Sequence, residues 1–182
     1  MKELSLNILD VTKNSVSAGA SKIDIILEEN DEGILTLTIA DNGCGMDEKT
    51  LKGVTDPFYT TRTTRKVGMG LPLLKMAAEQ TGGALNISSS VKQGESGTVL
   101  KATFDTKSID FMPLGDIIST VCILIAGSPD IDFFFEDTSP RGVVALKTSE
   151  LKEVLGDISL AEPEIQQWIK EYLEEQYSQL AK

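Results

Sequence analysis

The residues best suited to chemistry are Asp41, Asn42, Gly43, Cys44, Gly45 and Met46. Asp41 ends an alternating apolar run, Ile34 to Ala40, that reads as a strand. A carboxylate delivered at a strand end accepts hydrogen bonds from an amino group on a ligand. Glycines two and four residues later let the backbone turn and approach that ligand with no Cβ in the way. The same composition also makes a plain turn, so the hexapeptide acquires meaning only from its neighbours.

Two other stretches offer complementary groups. Leu4 to Ala18 reads as a helix, with Leu4, Ile8, Val11 and Ser15 on one face. At about 100° per residue, Asn7, Asp10, Asn14 and Ser17 fall within an arc of roughly 80°. As a functional seam, Asn14 offers a carbonyl oxygen to Mg2+ and Asp10 a carboxylate one turn earlier. As a structural one, the same stripe simply faces solvent. Residues 55–70 then bring Asp56-Pro57-Phe58-Tyr59, five threonines, and Arg62, Arg65 and Lys66, which are three of the chain's seventeen cationic residues. In an acidic chain this is a local positive patch, either a solvated loop or a lid that closes over phosphate. Gly68-Met69-Gly70-Leu71-Pro72 follows and opens a helix to about Thr81. Glycines at a helix start leave backbone N–H groups aimed at an anion, helped by the helix dipole.

Composition removes several classes of function. The 182 residues hold 17 basic and 28 acidic side chains, a net charge of −11, with 41% apolar and 25% charged content. That is globular composition, and its acidity argues against binding nucleic acid or an anionic membrane. No histidine is present, which rules out Ser-His-Asp or Cys-His machinery and histidine-ligated zinc within these residues. Two cysteines without metal-type spacing fit a reducing compartment. The start carries no basic-then-apolar signal and Leu114 to Ala126 is too short to span a bilayer, so a cytoplasmic location is the expectation.

The elements that must position these groups follow from periodicity. Lys22 to Glu28 and Ile34 to Ala40 read as strands, Asp47 to Lys52 as a short helix capped by Asp47, and Ala84 to Ser90 and Thr98 to Asp105 as two further strands. The predicted fold is α+β, a two-layer sandwich of a mixed, mostly antiparallel sheet with helices on one face. From about Thr106 the character changes. Pro113 to Ala126 is predicted as a helix, Ile131 to Glu136 and Val143 to Thr148 as strands, and Ser149 to Leu155 and Pro163 to Leu180 as helices. This segment has no glycine cradle, carboxylate pair or basic patch, which suits packing or partner binding.

Taken together, these stretches resemble the GHKL, or Bergerat-fold, ATPase superfamily, which includes histidine kinases, anti-sigma serine kinases, type II topoisomerases and mismatch-repair ATPases. The resemblance covers roughly residues 2–105. It rests on Asp10-Val11-Thr12-Lys13-Asn14-Ser15 as the asparagine box and Asp41 to Met46 as the first glycine box. Asp56 to Arg62 matches the phenylalanine-containing segment in wording closest to histidine kinases, Gly68 to Leu73 the second glycine box, and Gly97-Thr98 the closing pair. It implies an ATP-binding domain over 1–106 and a small α+β C-terminal region over 107–182. It further implies that Asp41 reads the adenine amino group with Thr98 in support, that Gly43 and Gly45 shape the base pocket, and that Asn14 holds Mg2+. Gly68, Gly70 and Leu71 would present amides to the phosphates, with Arg62, Arg65 or Lys66 reaching the terminal one. Met46 and Phe58 complete the implied nucleotide contacts.

Three departures bear on activity. Hydrolytic members carry glutamate four residues before the box asparagine, whereas this position is Asp10, one methylene shorter, as the implied catalytic base. The hairpin bearing a phosphoacceptor histidine has no counterpart here, and the lid is short. The resemblance therefore implies an ATP·Mg-binding kinase-type domain acting in trans on a partner protein. Its alternatives are a nucleotide-sensing module without phosphotransfer and a slow ATPase using Asp10.

Overall fold

A computed structural model describes residues 3–56, 58 and 69–180. Helix α1 (Leu4–Ser17) is followed by strands β1 (Lys22–Glu29) and β2 (Ile34–Asp41), helices α2 (Glu48–Gly53) and α3 (Gly70–Gln80), and strands β3 (Leu85–Ser90) and β4 (Gly97–Asp105). Helix α4 (Ile117–Gly127), strands β5 (Asp132–Ser139) and β6 (Gly142–Lys147), and helices α5 (Thr148–Leu155) and α6 (Pro163–Leu180) complete the chain. This is the mixed α+β arrangement expected, with four antiparallel pairings and one parallel pairing among the described residues.

The strand order is β3-β4-β2-β1-β5-β6. Alternation decides which face is buried. Ile23, Ile25 and Leu27 of β1, Leu35, Leu37 and Ile39 of β2, Leu100, Ala102 and Phe104 of β4, and Phe133 and Phe135 of β5 all enter one core. Helices α1, α3, α4 and α6 close that core with Ile8, Leu74, Ile125 and Ile169, all fully buried. The single parallel pairing joins β5 to β1, with Ile25 beside Phe135. Residues expected to form a small C-terminal region thus contribute two strands to the same sheet.

The expected helix from Pro113 begins instead at Ile117, and the reason lies in α1. The Glu3 side chain does not cap α1; its first amides are satisfied by backbone, Leu4 N–H donating to Pro113 O and Ser5 N–H to Leu114 O, both at 2.9 Å. Residues 113–114 lie outside α4, and their carbonyls serve another helix. Asp116 then caps α4, accepting from the Ser119 amide at 2.9 Å and its hydroxyl at 2.6 Å. These bonds hold the Asp116 carboxyl below the usual range.

Helix α6 closes the outer edge of the sheet. The Gln176 carboxamide accepts from Ala145 N–H at 3.0 Å and donates to Ala145 O at 3.1 Å, so a side chain takes the place of a next strand. Tyr177 Oη donates to Asp137 Oδ2 at 2.6 Å. Burial pushes the Asp137 carboxyl above the usual range while the Tyr177 hydrogen bond pulls it down. Tyr177→Phe removes a bond that favours the ionised form, so its cost is largest above the Asp137 pKa and shrinks as pH falls through it. We expect a loss of about 1 kcal/mol at neutral pH from this half-buried contact, read by urea denaturation, and a smaller loss at acidic pH.

Candidate functional site

The site is built where β2, β4 and β3 end beneath α1. Asp41 is the last residue of β2, placed on the helix-facing side by the alternation that buries Leu37 and Ile39. Thr98 lies directly across from it on β4, and Ser89 lies directly across from Thr98 on β3. One row of polar side chains therefore crosses three strands.

Each member of the row is held. Ser15 Oγ of α1 donates to Asp41 Oδ2 at 2.6 Å, and Gly43 N–H donates to Asp41 Oδ1 at 2.9 Å. Ser89 Oγ accepts from Met46 N–H at 2.8 Å and donates to Gly97 O at 3.0 Å. With the Ser89 proton directed to Gly97, Thr98 Oγ1 is the donor in the 2.8 Å contact between the two hydroxyls. Asn42 faces away and clamps the start of β1, its Oδ1 accepting from the Ser21 and Lys22 amides, both at 2.9 Å. Cys44 N–H donates to Ala18 O at 2.9 Å, tying the loop to the end of α1.

Glycine is required at two points of this loop system. Gly45 has φ +71°, and a Cβ there would lie 1.8 Å from the Ser90 carbonyl oxygen. Gly97 has φ +147°, and its Cβ would lie 2.1 Å from the Asp41 carbonyl oxygen. Backbones approach here at distances no side chain tolerates.

On α1, Asp10 and Asn14 are both exposed, whereas Asn7, expected on the same seam, is buried. The wet stripe is therefore shorter than helical spacing suggested. Gly70, the first residue of α3, sits against Asp10: a Cβ on it would lie 3.3 Å from Asp10 Oδ2. A carboxylate thus stands beside the N-terminus of an 11-residue helix. Leu71 packs partly against the core, and Met46 is half-buried beside Ser89. Phe58 is 88% exposed, its amide donating to Asp56 Oδ1 at 2.9 Å. Arg62, Arg65, Lys66 and Gly68 lie outside the described residues. Of the groups singled out from sequence, Asp41, Gly43, Gly45 and Thr98 converge at the strand ends, and Asp10 meets Gly70 where α1 passes α3.

Two contributors escaped the sequence reading. Ser15 was assigned to an apolar face, and Ser89 sits in an unremarked Ser88-Ser89-Ser90 run. The available signal was parity: Leu85 and Ile87 place Ser89 on the inward face of β3.

A nucleotide and its Mg2+ fit these residues. Both Asp41 oxygens are oriented by one donor each, which leaves lone pairs for an incoming amino group. Among the described residues no cluster of three or more His, Cys, Asp or Glu could hold a metal by itself. Asn14 is exposed on α1 and would be the residue to offer such an ion a carboxamide oxygen.

Comparison with known proteins bears on the family and the fold. The profile of histidine kinase-, DNA gyrase B- and HSP90-like ATPases matches residues 1–108. A putative sensor protein of Shewanella frigidimarina is 31% identical over 96 residues, covering 51% of this chain and 15% of its own length. Sporulation kinase A of Bacillus subtilis is 31% identical over 107 residues, covering 59% of this chain and 17% of its own length. The chain thus spans less than a fifth of these curated relatives. The ADP-complexed MutL ATPase domain of Aquifex aeolicus superimposes with a TM-score of 0.53 at 14% identity, over 85% of this chain and 68% of that one, a likeness of fold.

Gly45→Ala is expected to lower stability by well over 1 kcal/mol, because strain at positive φ adds to a collision with Ser90. Gly94→Ala, at φ +82° with nothing within 4 Å, carries only the first cost. Denaturant midpoints of the two variants separate the collision from the strain.

Proposed function

We propose, on the premise that this chain belongs to the histidine kinase-, DNA gyrase B- and HSP90-like ATPase family, that it binds ATP with Mg2+ and acts in trans on a partner protein as a kinase or nucleotide-dependent regulator. The observation that carries this reading is the oriented carboxylate of Asp41, fixed by Ser15 and Gly43 opposite Thr98. It accepts a hydrogen bond from the adenine amino group, and Thr98 and the Ser89 hydroxyl hold the strand ends beneath the base. Gly43 and Gly45 let the loop close against Ala18 and Ser90, which sets the wall of the base pocket.

Asn14 supplies an oxygen to Mg2+, which neutralises phosphate charge when it is bound. The backbone of Gly70 and Leu71 presents the start of α3 to the phosphates, with Gly68 and Arg62 assigned to the same task from sequence. Phosphoryl transfer rests mainly on positioning and charge neutralisation, and these groups supply both. None of the 182 residues is a histidine, so a histidine acceptor would lie outside them.

A second reading, slow hydrolysis with Asp10 positioning water, is favoured by the placement of Asp10 Oδ2 beside Gly70. The two readings separate on one variant. Asp10→Asn abolishes steady phosphate release if Asp10 orients water, and leaves ATP binding in place.

Calorimetric titration with ATP and Mg2+ tests the shared premise. Asp41→Asn is expected to weaken binding by about 1.5–3 kcal/mol, the cost of losing a hydrogen bond to a charged group. Equal affinity of the native protein and a folded Asp41→Asn variant would overturn the assignment. Transfer from terminally labelled ATP to candidate partner proteins then distinguishes kinase from regulator.

A further inference from the structure

At the edge of the sheet opposite the Asp41 row, β5, β6, α5 and α6 frame a cleft of about 400 Å3 whose lining includes Phe134, Glu136, Lys147, Glu150, Trp168 and Tyr172. Trp168 and Tyr172 are one helical turn apart and stack, with ring centroids 5.0 Å apart and planes at 11°. Yet they remain 47% and 37% exposed. A paired indole and phenol ring left open in a cleft has the composition of an interaction hot spot.

Charge indicates what the cleft takes. Lys147 Nζ lies 5.4 Å from the centroid of the Phe134 ring and 3.7 Å from Glu150 Oε1. The cleft therefore already seats one cation of its own between an aromatic face and a carboxylate. Glu136 has no ion-pair partner among the described residues; its Oε1 accepts a long 3.5 Å hydrogen bond from Thr138. The surroundings are acidic, with eight acidic against two basic side chains between residues 148 and 180. Such a surface repels phosphate-bearing partners and attracts basic ones.

We propose that this cleft docks a basic segment of a partner protein. An arginine or lysine side chain lies along the Trp168–Tyr172 stack and its charged head meets Glu136 and Glu150. Arginine suits the site best, because its planar guanidinium stacks on rings and its fork matches a carboxylate. The proposal does not depend on nucleotide binding, since strands β1 and β2 separate the cleft from Thr98.

Trp168 is the chain's single tryptophan, so its emission reports on the cleft directly. The probe is a short dye-labelled amidated peptide alternating arginine and leucine, with a glutamate–leucine counterpart, added to the full chain. The expected result is a saturable change in Trp168 emission with the arginine peptide and none with the glutamate peptide. By anisotropy, Trp168→Ala and Glu150→Lys should each weaken binding by about tenfold or more, with the circular dichroism and ATP·Mg affinity of the native chain. Unchanged Trp168 emission would overturn the proposal. So would equal peptide affinity of native and variant proteins, which would mean general attraction to an acidic surface. Failure of ATP binding with peptide binding intact would count against the nucleotide reading alone.

Discussion

One carboxylate joins the two layers of this fold at the point where chemistry is proposed. Asp41 accepts from Ser15 on the helix above and from Gly43 in its own loop. Removing a carboxylate from water is costly, and hydrogen bonds to its charged form offset that cost only when donors are fixed in place. Here both donors belong to backbone or to a buried helix face, so the side chain cannot turn away. The rest of the loop is pinned around it: Asn42 to β1, Cys44 to Ala18 and Met46 to Ser89.

That arrangement depends on where α1 lies, and α1 is fixed at both ends by distant segments. Its first amides bond to Pro113 and Leu114, and the Thr120 hydroxyl donates to Ser5 O at 3.3 Å. Its far end receives the Cys44 amide. Asp10 is therefore placed against Gly70 by contacts with residues beyond 106 as well as by the core below. A change at the nucleotide-facing side of α1 has a physical route to residues 113–120 and helix α4 through these bonds. The helix also holds Asn7 Oδ1 and Thr12 Oγ1 buried with no partner among the described residues, and nothing in the structure explains either.

The two edges of the sheet are treated differently. Beyond β6 a carboxamide from α6 occupies the backbone groups of Ala145, which denies the edge to another strand. The aromatic stack on the same helix stays open to solvent one turn away. Edge closure and partner recognition are thus carried by adjacent turns of one element, with Ile169 and Leu173 anchoring both to the core.

Local pattern in the sequence was enough to determine the order of elements, the buried parity of β1 and β2, the Asp47 cap and the family. Each of these depends on neighbours within a few residues, where alternation, capping chemistry and glycine spacing act directly. The tertiary structure alone decided the rest. It set β5 parallel to β1, started α4 only after Asp116 so that Pro113 and Leu114 could cap α1, buried Asn7, and recruited Ser15 and Ser89 to the site. These are contacts between residues 26 to more than 100 positions apart. Their geometry follows from how whole elements pack, and periodicity along a chain holds no record of which distant partner a side chain will meet.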